Sequence, residues 1–204
     1  MNILVIDDHA VVREGLRRLL ETAIRGVIYE AGDASEAFAE LQQRPFDLAI
    51  LDLNLPGLGG IALVKRVVEE FGVRVLVLSM HAEPLYASRA VEAGASGYVS
   101  KNVAPDELLT AIRKIAAGGR HIEAEIAQAM AWHRAEPDHP MDRLSPREIE
   151  IMRQLASGRS LSEIAADLDI RYKTVANICS QIKAKLGVAR TADLVRLAIE
   201  AGVT

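Results

Sequence analysis

Leu48-Ala49-Ile50-Leu51-Asp52 decides the fold of this chain: an apolar run, half of it β-branched or small, that stops on a carboxylate. Three further runs end the same way. Ile3-Leu4-Val5-Ile6 meets Asp7-Asp8, Val73-Arg74-Val75-Leu76-Val77-Leu78 meets Ser79, and Gly97-Tyr98-Val99-Ser100 meets Lys101. Short apolar runs separated by helix-length segments read as parallel strands of an α/β sheet. Strands are expected near 2–7, 27–31, 47–52, 73–79 and 97–100. Helices are expected near 9–22, 34–43, 60–70, 84–93 and 105–118. Five such units imply a doubly wound, five-stranded parallel sheet. The punctuation agrees: Pro56-Gly57, Gly59-Gly60, Gly94, Gly97 and Gly118-Gly119 fall between elements, and Pro105-Asp106-Glu107 opens the fifth helix.

Beyond this array, residues 122–133 could form a short amphipathic helix. The stretch 134–143, RAEPDHPMDR, is charged, carries two prolines and reads as linker. From Arg143 the pattern is wholly helical. Ser145-Pro146-Arg147-Glu148 and Ser160…Glu163 are capping boxes. Gly158 ends the first of these helices, and the second is expected to run to about Leu168. Asp169-Ile170-Arg171 is a tight turn. A longer helix follows over 172–186, closed by Gly187, and a last one covers 191–201. A short helix, a turn and a longer basic helix make a helix-turn-helix. The domains are therefore expected at 1–121, with 122–142 as linker, and at 143–204.

Composition narrows the function. No run of about 18 apolar residues is present, so no membrane span is expected. The start MNILVIDD does not read as a signal peptide. The single cysteine, Cys179, excludes an internal disulfide and fits a reducing cytoplasm. Residues 1–140 hold 14 basic against 20 acidic side chains, and residues 141–204 hold 10 against 8. Between Arg171 and Arg190 there are five bases and no acid, which suggests a polyanion partner.

Ligands of such sheets sit just beyond the carboxyl ends of the strands. Asp7, Asp8 and Asp52 would meet there with Ser79 and Lys101. Clustered carboxylates repel, and a divalent cation is the usual remedy. A hydroxyl and an ammonium beside them suit a phosphoryl group. Asp52, at the end of the central strand, is the natural nucleophile, and its attack on phosphorus gives an acyl phosphate. Mg2+ (or Mn2+) on Asp7, Asp8 and Asp52 would offset the developing charge. Any one of these residues alone would read as a cap, turn or surface group; their conjunction at four strand ends carries the argument. Capping of the first helix is an alternative role for Asp8, and His9 and His81 read as solvent-facing.

On the helix 172–186, Val175, Ile178, Cys179, Ile182 and Leu186 recur at helical spacing and form the buried face. Lys173, Ala176, Asn177, Ser180, Gln181 and Ala184 lie opposite, an acid-free surface suited to the major groove. Asn177 and Gln181 can read adenine edges, while Lys173, Thr174, Lys183 and Lys185 suit phosphates. A solvated surface helix is the alternative.

Residues 1–118 resemble a CheY-like receiver domain, through VIDDH, LDLNLPGLGG, LSMH and GYVSKN. The resemblance implies a flavodoxin-like fold with Asp52 as phospho-acceptor. It implies Asp8 as direct metal ligand, Asp7 acting through water, and the Asn54 backbone carbonyl completing the protein ligands. Ser79 and Lys101 become the switch hydroxyl and lysine, and Tyr98 the switch aromatic that swings inward. Asn102 stands where these proteins often have aspartate. Residues 143–202 resemble a LuxR-type helix-turn-helix domain, through LSPREIEIMRQLASGRS, EIAADLDI and KTVANICSQIKAKLGV. That resemblance places Lys173, Thr174, Ala176, Asn177 and Ser180 toward DNA and makes the last helix a dimer contact. Arg171 replaces the usual Ser/Thr cap, Ile178 a common histidine, and Leu161 a polar residue, leaving a leucine expected to be exposed.

The two together make the NarL/FixJ architecture. It implies a transcription factor rather than an enzyme, switched when a sensor histidine kinase phosphorylates Asp52, and a homodimer on inverted-repeat DNA in the cytoplasm. A phosphatase working through an aspartyl-phosphate would want an acid two residues after the nucleophile, where Asn54 stands. An orphan regulator whose receiver only dimerises would have a degraded pocket.

Overall fold

The computed structural model describes residues 1–55, 60–80, 84–135, 140–201 and 203, without the side chains of 133–135, 140, 142 and 146. His81, the Pro56-Gly57 turn, Gly59 and linker residues 136–139 lie outside the described residues. The chain divides into two compact units, Met1–Ala131 and Trp132–Thr204.

The first unit alternates strand and helix: β1 (Asn2–Ile6), α1 (Ala10–Ala23), β2 (Val27–Ala31), α2 (Ala34–Gln43), β3 (Leu48–Leu51), α3 (Gly60–Phe71), β4 (Arg74–Ser79), α4 (Pro84–Glu92), β5 (Gly97–Ser100), α5 (Pro105–Ala116), β6 (His121–Ile122) and most of α6 (Ala124–Ala135), whose last residues, from Trp132, fall in the second unit. All strand pairs are parallel, in the order β2-β1-β3-β4-β5-β6. Both faces of the sheet are covered, which is why its strands read as unbroken apolar runs. Ile3, Val5, Leu48, Ile50, Leu76, Leu78 and Val99 pack with Leu16 and Leu20 of α1 and Leu108, Ile112 and Ile115 of α5. The alternate residues Leu4, Ile6, Ala49, Leu51, Val75 and Val77 are buried on the other face.

The sheet has six strands, one more than periodicity reveals. β6 is two residues long and runs beside β5, with Gly97 opposite His121 and Tyr98 opposite Ile122. A dipeptide has no period to read. The pairing also depends on a residue that is not there: a Cβ on Gly97 would lie 2.7 Å from the His121 carbonyl oxygen and 2.5 Å from Ile115 Cδ1.

Helix starts follow local chemistry. Asp33 caps α2 by accepting from the Glu36 amide. Pro105 sits in the first turn of α5 with Asp106 and Glu107, and Arg113 and Lys114 occupy its last turn, matching the helix dipole. Asp8 does not cap α1: the N-cap is His9, whose side chain makes no capping bond.

The second unit holds a 3-10 turn (Pro140–Arg143), α7 (Pro146–Ala156), α8 (Leu161–Asp167), α9 (Tyr172–Leu186) and α10 (Thr191–Glu200). Both capping boxes form, Ser145 with Glu148 and Ser160 with Glu163. α9 packs against α7 and α8, and α10 against α7. Val175, Cys179 and Ile182 are buried, whereas Ile178 and Leu186 are half-buried at the margin of that face. Leu161, the first residue of α8, is half-buried rather than exposed. Asp169 in the turn before α9 has φ 48°, a left-handed conformation that a short polar side chain tolerates. α9 ends on Gly187 at φ 69°, which supplies the left-handed C-cap. Among the described residues no helix is long and apolar enough to cross a membrane.

Candidate functional site

Register builds the first site. Ile6 pairs with Leu51, so Asp7 and Asp52 follow side by side at the ends of β1 and β3. Ser79 pairs with Ser100, so Lys101 enters one residue beyond the end of β4. Asp7 and Asp52 are each only 2% exposed. Lys101 Nζ donates to both, 2.6 Å from Asp7 Oδ2 and 2.7 Å from Asp52 Oδ2. Burial alone would lower the lysine pKa; the hydrogen bonds to Asp52 and Asp7 outweigh it and hold the ammonium above its ordinary value.

Backbone contacts fix the same atoms. The Asn54 amide donates to Asp52 Oδ1 at 3.1 Å and the His9 amide to Asp7 Oδ1 at 2.9 Å. The Lys101 amide donates to the Ser79 carbonyl at 2.8 Å. Arg13 Nη1 donates to the Asp7 carbonyl at 2.6 Å. Ser79 is fully buried at the end of β4. Asp8 lies at the mouth, exposed. Tyr98 is fully buried within β5, not half-buried as an isolated strand tyrosine would be.

His9 is exposed, as expected, yet it has partners that sequence spacing did not reveal. Its Nδ1 lies 2.8 Å from Asp8 Oδ1 and 3.3 Å from Asp7 Oδ1. Ligand atoms of Asp7, Asp8, His9 and Asp52 all lie within 4.8 Å of one another. The only sequence signal was adjacency to the acid pair. The set is carboxylate oxygen apart from one imidazole, and hard oxygen donors suit Mg2+ or Mn2+. Two buried carboxylates share one ammonium, so the cluster has spare negative charge for a divalent cation.

The second site is the outer face of α9. Lys173, Thr174, Asn177, Ser180 and Gln181 are exposed, and Ala176 and Lys183 half-exposed. Ser180 Oγ donates back to the Ala176 carbonyl at 3.0 Å. Lys185, grouped by the sequence with the lysines that suit phosphates, has a partner of its own. Its Nζ lies 2.6 Å from Glu148 Oε2, on a carboxylate that is almost wholly buried. Arg190 is likewise engaged, with Asp193 at 3.1 Å. Arg171 makes no side-chain cap at the start of α9, and Tyr172 beside it is 55% exposed. Burial pushes the Cys179 thiol pKa up, as befits a small core residue.

A doubly wound parallel sheet with an acid–lysine pocket at its strand ends, joined to a helix-turn-helix unit, defines a phosphoryl-responsive DNA-binding regulator. Comparison with known proteins agrees. Residues 3–113 match the response regulator receiver domain, and residues 142–198 match the bacterial regulatory proteins of the luxR family. Response regulator UvrY of Escherichia coli K12 is 34% identical over 209 residues, covering all of this chain and 95% of that protein. A LuxR-family two-component response regulator from Aurantimonas sp. SI85-9A1 has 42% identity and a TM-score of 0.63, covering 66% of this chain and 98% of that one. RcsB from Salmonella enterica serovar Typhimurium, bound to promoter rprA with the phosphomimetic BeF3−, has 28% identity and a TM-score of 0.68, covering 97% of each chain. The chain belongs to the response regulator transcription factors of the NarL/FixJ family, with a receiver and a LuxR-type DNA-binding domain.

Proposed function

We propose that Asp52 is the phospho-acceptor, and that a sensor histidine kinase donates the group. The P–N bond to the kinase histidine breaks as a P–O bond to an Asp52 carboxylate oxygen forms. The observation that carries this is the burial of Asp52 and Asp7 at neighbouring strand ends with the Lys101 ammonium between them. Asp7, Asp8 and Asp52 hold Mg2+ (or Mn2+), with the Asn54 backbone carbonyl as a further ligand. The cation, when bound, offsets negative charge gathering on the transferring oxygens. Lys101 then pairs with one phosphoryl oxygen and the Ser79 hydroxyl donates to another. Their loops shift, and the Tyr98 ring, already fully buried, moves into the space that Ser79 leaves.

The receiver spans 1–121, the linker 122–142 and the DNA-binding domain 143–204. Phosphorylation switches DNA binding and dimerisation of the second domain, and a two-fold dimer reads an inverted repeat in the cytoplasm. Asn177 and Gln181 face base edges. Lys173, Thr174 and Lys183 face phosphates, and Ala176 and Ser180 allow close approach.

Incubation with Mg2+ and acetyl phosphate, read by intact mass, tests the first step. One added phosphoryl group in the wild type and none in Asp52→Asn is expected, with tighter promoter binding by the phosphorylated form. Uptake by both proteins would refute the assignment of Asp52.

A further inference from the structure

The sixth strand places a side chain where β6 itself has stopped. β6 is held to β5 by the His121 amide on the Ser96 carbonyl and the Glu123 amide on the Tyr98 carbonyl, both at 3.1 Å. The next outward-facing donor on β5 is the Ser100 amide. On an edge strand such a donor needs a partner. It finds the Glu123 carboxylate, 2.7 Å away. A charged acceptor on a backbone amide is among the stronger hydrogen bonds. The same residue begins the next helix: the Glu123 carbonyl accepts from the Ala127 amide at 2.9 Å, the first turn of α6.

Ser100 immediately precedes Lys101, and the turn between them is tightly held. The Asn102 amide donates to Ser100 Oγ at 3.1 Å, the Lys101 amide to the Ser79 carbonyl, and the Lys101 ammonium to Asp7 and Asp52. A continuous set of bonds therefore runs from Asp52 through Lys101 and the Ser100 amide to Glu123 and α6. We infer that Glu123 is a positioning residue: its carboxylate ties the start of the linker helix to the backbone of Lys101, so that a change at the Asp52 pocket moves α6 directly. This rests on Asp52 being phosphorylated. It adds an output route through the edge of β5 and the linker.

The chain carries its own reporter. Trp132, its single tryptophan, lies on α6 and is 72% exposed. The test compares wild type, Glu123→Met and Glu123→Gln in the full chain. Methionine keeps the length but has no comparable acceptor; glutamine keeps an acceptor oxygen. Phosphoryl uptake from acetyl phosphate is followed by intact mass. Trp132 fluorescence and promoter affinity are followed with and without beryllofluoride and Mg2+. The expected result is uptake within twofold of wild type in all three proteins. The fluorescence response and the affinity ratio between the two states should fall at least threefold in Glu123→Met and be restored in Glu123→Gln. Full responses in both variants, or equal loss in both, overturn the inference. So does a wild type that takes up the group with no change at Trp132. A wild type that takes up no phosphoryl group refutes the Asp52 reading by mass, before any coupling is measured, and the inference falls with it.

Discussion

Replacing Lys101 by methionine removes the only counter-charge that the described residues place between Asp7 and Asp52. The three side chains are 11%, 3% and 1% exposed for Lys101, Asp7 and Asp52. At separations of 2.6 and 2.7 Å, each attraction amounts to about 6 kcal/mol at an effective dielectric near 20. Burying three charges costs several kcal/mol per ion, so most of that gain is already offset in the native protein. Removing one partner leaves the desolvation cost with no compensation, and this typically destabilises by about 3–5 kcal/mol. Lys101→Met should therefore lose about 3 kcal/mol at neutral pH without divalent cation. With a urea slope of about 2 kcal/mol per molar, the midpoint should fall by roughly 1.5 M. Adding Asp52→Asn to the same chain removes one of the repelling carboxylates and should recover part of the loss, a coupling of at least about 1 kcal/mol in a double-mutant cycle. Mg2+ should stabilise Lys101→Met more than wild type, because it binds the native carboxylate cluster without a competing ammonium. Urea unfolding followed by circular dichroism, with EDTA or with Mg2+, reads all of this. A Lys101→Met protein as stable as wild type in EDTA, with no recovery on adding Asp52→Asn, would refute the electrostatic account of the pocket.

Four other substitutions probe the DNA-binding unit. Burial raises the Glu148 carboxyl pKa, but the Lys185 and Ser145 hydrogen bonds outweigh it and hold the group below its ordinary 4.5. Its contribution is therefore present above that value and lost as pH falls through the lower folded value. Glu148→Gln should cost about 1–3 kcal/mol at neutral pH, and the gap to wild type should close as pH drops below 4.5 in a melting series. Lys173→Met should weaken promoter binding and reduce the slope of log affinity against log salt by about 0.9, whereas Lys185→Met should leave that slope unchanged, because its charge already answers Glu148. Gly187→Ala should destabilise the unit by about 1 kcal/mol in thermal unfolding, since φ is 69° at that C-cap.

The elements of the receiver were legible because their signals are local. Four apolar runs that stop on Asp7-Asp8, Asp52, Ser79 and Lys101, together with the stretch 27–31, mark β1 to β5 within a residue or so at either end. The capping boxes at Ser145 and Ser160 place α7 and α8, and helical spacing of Val175, Cys179 and Ile182 orients α9. The strand-end placement of Asp7, Asp52, Ser79 and Lys101 also followed from the alternation of strand and helix, because residues that end neighbouring parallel strands share one edge of the sheet.

What the chain order could not carry is pairing across long separations. Whether Lys101 faces Asp52, 49 residues away, depends on the register of β4 with β5 and on burial that excludes water from the pair. The partner of Lys185, Glu148 of α7, lies 37 residues earlier and could not be read from spacing. His9 joined the acid cluster through a loop conformation, and Leu161 at the start of α8 is half-buried where an exposed leucine was expected. β6 was invisible for a different reason: two residues have no period, and their place is set by the space left at Gly97. Periodicity and caps thus determined which segments fold and which faces they bury, being properties of neighbours along the chain. Which charges meet was decided only by the tertiary structure, since opposite charges bind strongly where packing has brought them together and removed the water between them.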